Sequence, residues 1–159
     1  MANNQAKDKG PKTFEVPSPT KKASNVEDPH AYKGQFPAWR FKHIDEGGEW
    51  AITEEVLPDI IKNRLKVFET TKWSEIEAQL TSDGKHKKKS KRHKKHHSQD
   101  VTSLSKEAQD RWKKRKINYD TVFRFRFGGT LRLWGVRENN VFKPVWWDID
   151  HTVYPTEPN

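Results

Sequence analysis

Residues 123–147 read Phe123-Arg124-Phe125-Arg126-Phe127-Gly128-Gly129-Thr130-Leu131-Arg132-Leu133-Trp134-Gly135-Val136-Arg137-Glu138-Asn139-Asn140-Val141-Phe142-Lys143-Pro144-Val145-Trp146-Trp147. Phe123, Phe125 and Phe127 alternate with Arg124 and Arg126, the period of a strand with one buried face. Gly128-Gly129 supplies the positive φ angles of a tight turn. Leu131 to Arg137 is a second strand, Asn139-Asn140 a second turn, and Val141 to Trp147 a third strand. Pro144 has no N–H for a ladder, so the third strand is expected at an edge or bulged there. Trp146 and Trp147 point to opposite sides, one into the core. Trp134 and Trp112 read as core.

Upstream, Trp39-Arg40-Phe41-Lys42-His43-Ile44 alternates in the same way and reads as a first strand, ended by the turn Asp45-Glu46-Gly47-Gly48. Thr53-Glu54-Glu55 opens a helix, with acids near its positive end. Leu57, Ile60, Ile61, Leu65 and Phe68 follow at helical spacing. Pro58 belongs in the first turn, so the regular helix starts there. Trp73, Ile76 and Leu80 mark a second amphipathic segment. Ser103 or Ser105 caps a third, in which Leu104, Ala108, Trp112 and Arg115 fall near one face. The order is β-α-α-α-β-β-β. It predicts an α+β domain with helices packed on one face of a mainly antiparallel four-stranded sheet.

Composition sets the limits of that domain. Apolar residues make up 31% of the chain, about 36% with glycine, against roughly 45–50% in an average globular chain. Seven Trp, eight Phe and three Tyr are too many for a disordered chain, so ordinary core material is diluted by unstructured segments. Residues 1–36, with Pro11, Pro17, Pro19 and Pro29 and little apolar periodicity, read as a disordered arm. The single domain spans 37–154, interrupted by a basic disordered loop at 81–101, and 155–159 is a short tail. No apolar run is long enough for a membrane helix, no secretory h-region is visible, and the chain reads as cytoplasmic. The absence of cysteine excludes disulfides, Cys-ligated zinc and thiol catalysis.

The net charge of +9 is unevenly placed. Nineteen of the 31 Lys/Arg residues lie between 85 and 147, alongside five acids. Such a stretch fits a polyanion partner, most simply nucleic acid. In 85–97 the candidate contacts are Lys87, Lys88, Lys89, Arg92, Lys94 and Lys95, although a solubilising charge run would look the same. Lys113, Lys114, Arg115 and Lys116 follow on a helix, and Arg124, Arg126, Arg132 and Arg137 on strands. Arginine is costly to bury on a strand without an anion, whereas a solvated sheet face would hold it freely. Asp148, Asp150 and His151 could ligate a divalent ion or form a polar strand end paired with arginines, and the second reading is preferred. His93, His96 and His97 sit among lysines that repel cations, so no metal site and no cofactor are expected.

The element order and the C-terminal text resemble the RelE/ParE toxin superfamily, with its RelE, HigB and YoeB branches. The matching residues are 123–127, Leu131-Arg132-Leu133-Trp134-Gly135-Val136, 141–147 and the His-x-x-Tyr of His151-Thr152-Val153-Tyr154. The resemblance covers roughly residues 38–154. It implies a metal-independent endoribonuclease that enters the ribosome and cleaves mRNA by attack of a ribose 2′-OH on the adjacent phosphate. An acidic antitoxin would be a protein partner. By resemblance, Arg132 matches the arginine facing the scissile phosphate, and His151 and Tyr154 match the C-terminal pair that moves protons or stacks a base. Arg124, Arg126 and Arg137 are phosphate contacts by their chemistry alone. No carboxylate matches the general base of some members: Glu138 is at a turn, and Asp148 and Asp150 flank His151. Other members poison DNA gyrase, so the alternative is a non-catalytic nucleic-acid- or ribosome-binding protein whose affinity lies in the basic loop 85–97.

Overall fold

The computed structural model describes residues 28–81 and 93–155. Its elements run β1 (Ala38–Trp39), α1 (Leu57–Asp59), α2 (Trp73–Ala78), β2 (His97–Asp100), α3 (Lys106–Lys114), β3 (Thr121–Arg126), β4 (Arg132–Glu138) and β5 (Val141–Asp148). They form an α+β fold around one five-stranded sheet of order β1-β5-β4-β3-β2. β1 runs parallel to β5, and every other pairing is antiparallel.

Three features differ from the sequence expectation. The sheet is mixed and has a fifth strand, because His97–Asp100 pairs with β3 at the end of the stretch read as a loop. Repulsion among lysines ends before Ser98-Gln99, and a polar strand with alternating exposure suits a sheet edge. The helices also cover both faces of the sheet. Ile60, Leu65, Phe68, Trp73 and Ile76 pack with Phe123, Phe125, Leu133, Phe142 and Trp147. On the opposite face Leu104, Ala108 and Trp112 of the α3 region pack with Val122, Trp134, Val136 and Trp146. Both strand parities therefore carry apolar side chains, as a sheet buried on two sides requires. The third difference is at the N-terminal side. Only Ala38–Trp39 of the first expected strand is laddered, and the fold extends before Pro37 through the turn Ala31–Gly34. Tyr32 there meets the Trp73 ring edge-on and donates its hydroxyl hydrogen to Glu77 at 2.8 Å. Of the expected arm, residues 1–27 lie outside the described residues, as do Lys87, Lys88, Lys89 and Arg92 of the basic loop.

Other local expectations hold. Pro58 sits in the first turn of α1, which continues as a π-helix (Ile60–Leu65) and a 3₁₀ turn (Lys66–Phe68). The Ser105 hydroxyl caps α3 by accepting the Ala108 N–H. Leu80 departs from its expectation: it lies beyond the end of α2, not within the second amphipathic segment, and is exposed. At Pro144 the β4–β5 ladder shifts register: Trp134 faces Trp146, Gly135 faces Pro144, and Val145 bulges between them. β1 pairs β5 only at Val141 and Phe142, so the proline lies beyond the end of that ladder and beside the bulge.

One buried ion pair ties the turn after β1 to α3. Asp45 is fully buried and accepts from Arg111 Nε at 2.7 Å, Arg111 Nη2 at 2.6 Å, Trp146 Nε1 at 3.0 Å and the Gly47 N–H at 3.1 Å. Burial alone would raise its pKa, but the hydrogen bonds from Arg111, Trp146 and Gly47 outweigh it and hold the carboxyl below its ordinary range. The pair orients α3 against the sheet without entering the cleft described next.

Candidate anion-binding cleft

The β3–β4 register places Arg126 opposite Arg132 and Arg124 opposite Trp134. Since side chains alternate across a strand, the three arginines project from one sheet face, beyond the end of the α3 core. Together with His97, His151 and Tyr154 they line an open cleft of about 1260 Å³. Five chain segments build it: β2 supplies His97, β3 and β4 the arginines, the turn between them Thr130, and the segment after β5 His151 and Tyr154.

Arg124 is 7% exposed and Arg132 5% exposed, and neither forms an ion pair among the described residues. The Arg124 Nε has no hydrogen-bond acceptor, and its guanidinium carbon lies 5.9 Å from the Trp134 ring centre. Arg132 donates from Nη1 to the carbonyls of Gly129 and Leu131, both at 2.9 Å, while its Nε is buried without a partner. Burial, and then the neighbouring arginines, push both guanidiniums down to about 10. They remain charged at neutral pH. Asp148 opposes the shift at Arg132 without pairing with it, and Asp100 and Asp150 lie elsewhere on the lining. Two desolvated cations without an ion pair are a standing cost to the fold, and an anion entering the cleft would offset it.

His151 follows β5 in a left-handed conformation, φ 58°. A residue with a Cβ adopts that conformation at a cost and needs surrounding structure to hold it. The holding group is Asp148, fully buried at the end of β5. Its carboxylate accepts the Thr152 N–H at 2.9 Å, the Val153 N–H at 3.1 Å and Trp134 Nε1–H at 3.2 Å. The turn is thus wrapped around Asp148, and the imidazole of His151 and phenol of Tyr154 reach the cleft from its two ends. Burial, then Arg132 and Arg124, lower the His151 pKa, with Asp148 opposing. The imidazole is neutral at pH 7 and able to accept a proton.

Of the residues singled out in the sequence, Arg124, Arg126, Arg132, His151 and Tyr154 therefore meet in one cleft, whose lining also holds His93, His97 and two acids, Asp100 and Asp150. Others do not. Arg137 has the opposite parity and lies across the sheet, its guanidinium 3.7 Å from the Tyr32 ring centre and 3.9 Å from Glu77. Arg115 faces Asp45 at 3.6 Å and donates to the Ile44 carbonyl. Lys113 lines a separate groove with Asp110 and Asp120, and Lys114 and Lys116 lie at the same end of α3, outside the cleft. Lys94 is exposed beside its bridge to Leu80, and Lys95 lines a second, smaller cleft. Glu138 is engaged by Lys143 and Tyr119.

The strand alternation that brings His97 to the cleft sends His96 into the core. His96 Nδ1 accepts the Arg126 N–H at 3.0 Å, and Nε2 lies 3.3 Å from Gln79 Oε1. Burial, then the nearby cations, lower its pKa to about 3, so it is a neutral imidazole that fixes the end of β3. The three histidines are therefore not grouped, and no cluster of three metal-ligating side chains occurs among the described residues. His97 was missed as a cleft residue, since a four-residue polar strand gives no hydrophobic signal. These features define an α+β protein with an arginine-lined cleft. No family model, curated protein or solved structure matches the chain.

Proposed function

We propose that the cleft takes a phosphodiester of RNA and that the protein is a RelE-like endoribonuclease acting on mRNA at the ribosome. The observation that carries this reading is the convergence of Arg124, Arg126 and Arg132 with His151 and Tyr154, two of the arginines being buried without an anionic partner. Neutral His151 accepts the 2′-OH proton as the 2′ oxygen bonds to phosphorus. Arg124 and Arg132 face the negative oxygens of the pentavalent phosphorane and are worth most there, because the site is desolvated. The P–O5′ bond then breaks, the Tyr154 phenol protonates the leaving 5′ oxygen, and a 2′,3′-cyclic phosphate remains.

The test is to incubate mRNA with purified protein, free and on translating ribosomes, and to map the new ends chemically. Wild type is expected to leave 2′,3′-cyclic phosphates. Arg132→Ala and His151→Ala are each expected to slow cleavage by roughly 10²-fold or more while retaining the far-ultraviolet spectrum of the fold. Absence of cleavage with either form of RNA, or full cleavage by both variants, would overturn the reading. RNA binding without cleavage would leave the non-catalytic binding protein in its place.

A further inference from the structure

Resting on the RNA reading of the arginine cleft, we infer that a second cleft across the sheet is a subsite for the RNA nucleotides flanking the reacting phosphate, with Arg64 as its stacking cation. Arg126, the last residue of β3, lines both clefts. The first opens on the α3 face and the second, of about 360 Å³, on the face covered by the 57–68 helical segment. They are separated by the β3–β4 turn, with Thr130 lining one and Gly128 the other. A single strand passing round this end of the sheet would meet both.

The chemistry of the second cleft suits that strand. Its lining includes Arg64, Lys95 and Arg126 and no carboxylate. Arg64 is half-buried, its Nε has no hydrogen-bond acceptor, and it forms no ion pair among the described residues. Its guanidinium carbon lies 5.5 Å from the Phe127 ring centre and 6.0 Å from that of Trp147. A planar cation resting on aromatic rings presents fork-shaped donors to a phosphate and a flat surface to a base. Arg64 is delivered there by the π-helical turn Ile60–Leu65, and interruptions of this kind in helices recur at functional sites. Asn63 and Gln79 are also on the lining, Asn63 donating to Asp59 and Gln79 facing His96.

The experiment measures binding of fluorescent 2′-O-methyl RNA, which has no free 2′-OH and cannot be cleaved, as a mixed-sequence dinucleotide and octanucleotide. Arg64→Gln, Arg64→Lys, Lys95→Gln and Arg132→Gln are compared with wild type across a salt series. Wild type is expected to bind the octanucleotide at least tenfold more tightly than the dinucleotide. Arg64→Gln and Lys95→Gln should each remove most of that gain, leave dinucleotide affinity unchanged and reduce the salt slope by about 0.7 per lost phosphate contact. Arg64→Lys, which keeps the charge and loses the planar stack, should fall between. Arg132→Gln should weaken both lengths. Octanucleotide affinity unchanged by Arg64→Gln and Lys95→Gln, with Arg132→Gln still weakening both lengths, overturns the subsite alone. Indifference of both lengths to Arg132→Gln, or no binding by wild type, overturns the reading of the first cleft and the subsite with it. Lys95→Gln carries the test independently should Arg64→Gln fail to fold.

Discussion

His96 and His151 are both imidazoles held neutral by burial, and they differ in what neutrality serves. His151 faces a cleft, where a neutral ring can take a proton. His96, 1% exposed, lies between Phe68 and Phe125 and accepts a backbone hydrogen bond, so protonation would cost both solvation and that bond. The linkage has a definite sign. The unfolded imidazole gains its proton near the ordinary 6.5, the folded one only near about 3. Between those values the unfolded chain binds more protons, so stability is fully present above 6.5 and is lost as pH falls toward 3, at about 1.4 kcal/mol per pH unit. Urea unfolding at pH 7 and pH 5 should show about 2 kcal/mol of loss from this group. His96→Gln should be less stable at pH 7, having lost ring packing, but should fall less steeply between the two pH values. Equal slopes for variant and wild type would show that His96 does not titrate as its burial dictates.

At the scale of elements, the register shift between β4 and β5 rests on Gly135. A Cβ there would lie 2.5 Å from Cζ of Phe142 and would collide with the Lys143 carbonyl, which belongs to the backbone and cannot swing away. Gly135→Ala should therefore cost about 3 kcal/mol, read as a drop in thermal midpoint. Gly128→Ala, with open space around it and no positive φ, should stay within about 0.5 kcal/mol. The ladder that Gly135 belongs to was also the most legible part of the fold. Period-2 alternation, the Gly128-Gly129 and Asn139-Asn140 turns and the Pro144 irregularity all show in the sequence, and Gly129 and Asn139 do take positive φ. β2 was invisible because His97–Asp100 is polar throughout and takes its place from pairing with β3. Two-sided packing was readable in Val122, Trp134, Val136 and Trp146, but the arginines of the same parity made that face look solvated. In the site, Arg124, Arg126 and Arg132 were nominated by residue type, and parity would have set Arg137 apart from Arg132 within one strand. Arg64 gave no signal, since an arginine among helical polar positions is ordinary until the π turn carries it onto Phe127.

For the whole molecule, charge can serve long-range attraction or chemistry at contact. Residues 82–92 hold six Lys/Arg and one acid. Exposed charges in general act on a polyanion from about a Debye length, ~8–10 Å, and are weakened by salt. Arg124 and Arg132 are buried and would act only at contact, where salt screens far less. The fold permits these contributions to be separated, because 82–92 is bracketed by antiparallel bonds: the Thr81 N–H reaches the His93 carbonyl at 2.8 Å, and the Lys95 N–H reaches Gln79 at 2.8 Å. Replacing 82–92 with Asn-Gly, which favours a two-residue hairpin turn, should close this ladder and keep the fold. If all six cations neutralise phosphates, the salt slope of single-stranded RNA binding should shrink by about 4. On the proposed reading, cleavage at saturating RNA should be unchanged, since Arg124, Arg132, His151 and Tyr154 are all kept. If instead the replacement abolishes RNA binding at low salt, while Arg132→Ala in the intact chain leaves it untouched, affinity resides in the segment and the cleft is not where RNA is held. The outcome turns on desolvation: Arg124 and Arg132 have given up their water before an anion arrives.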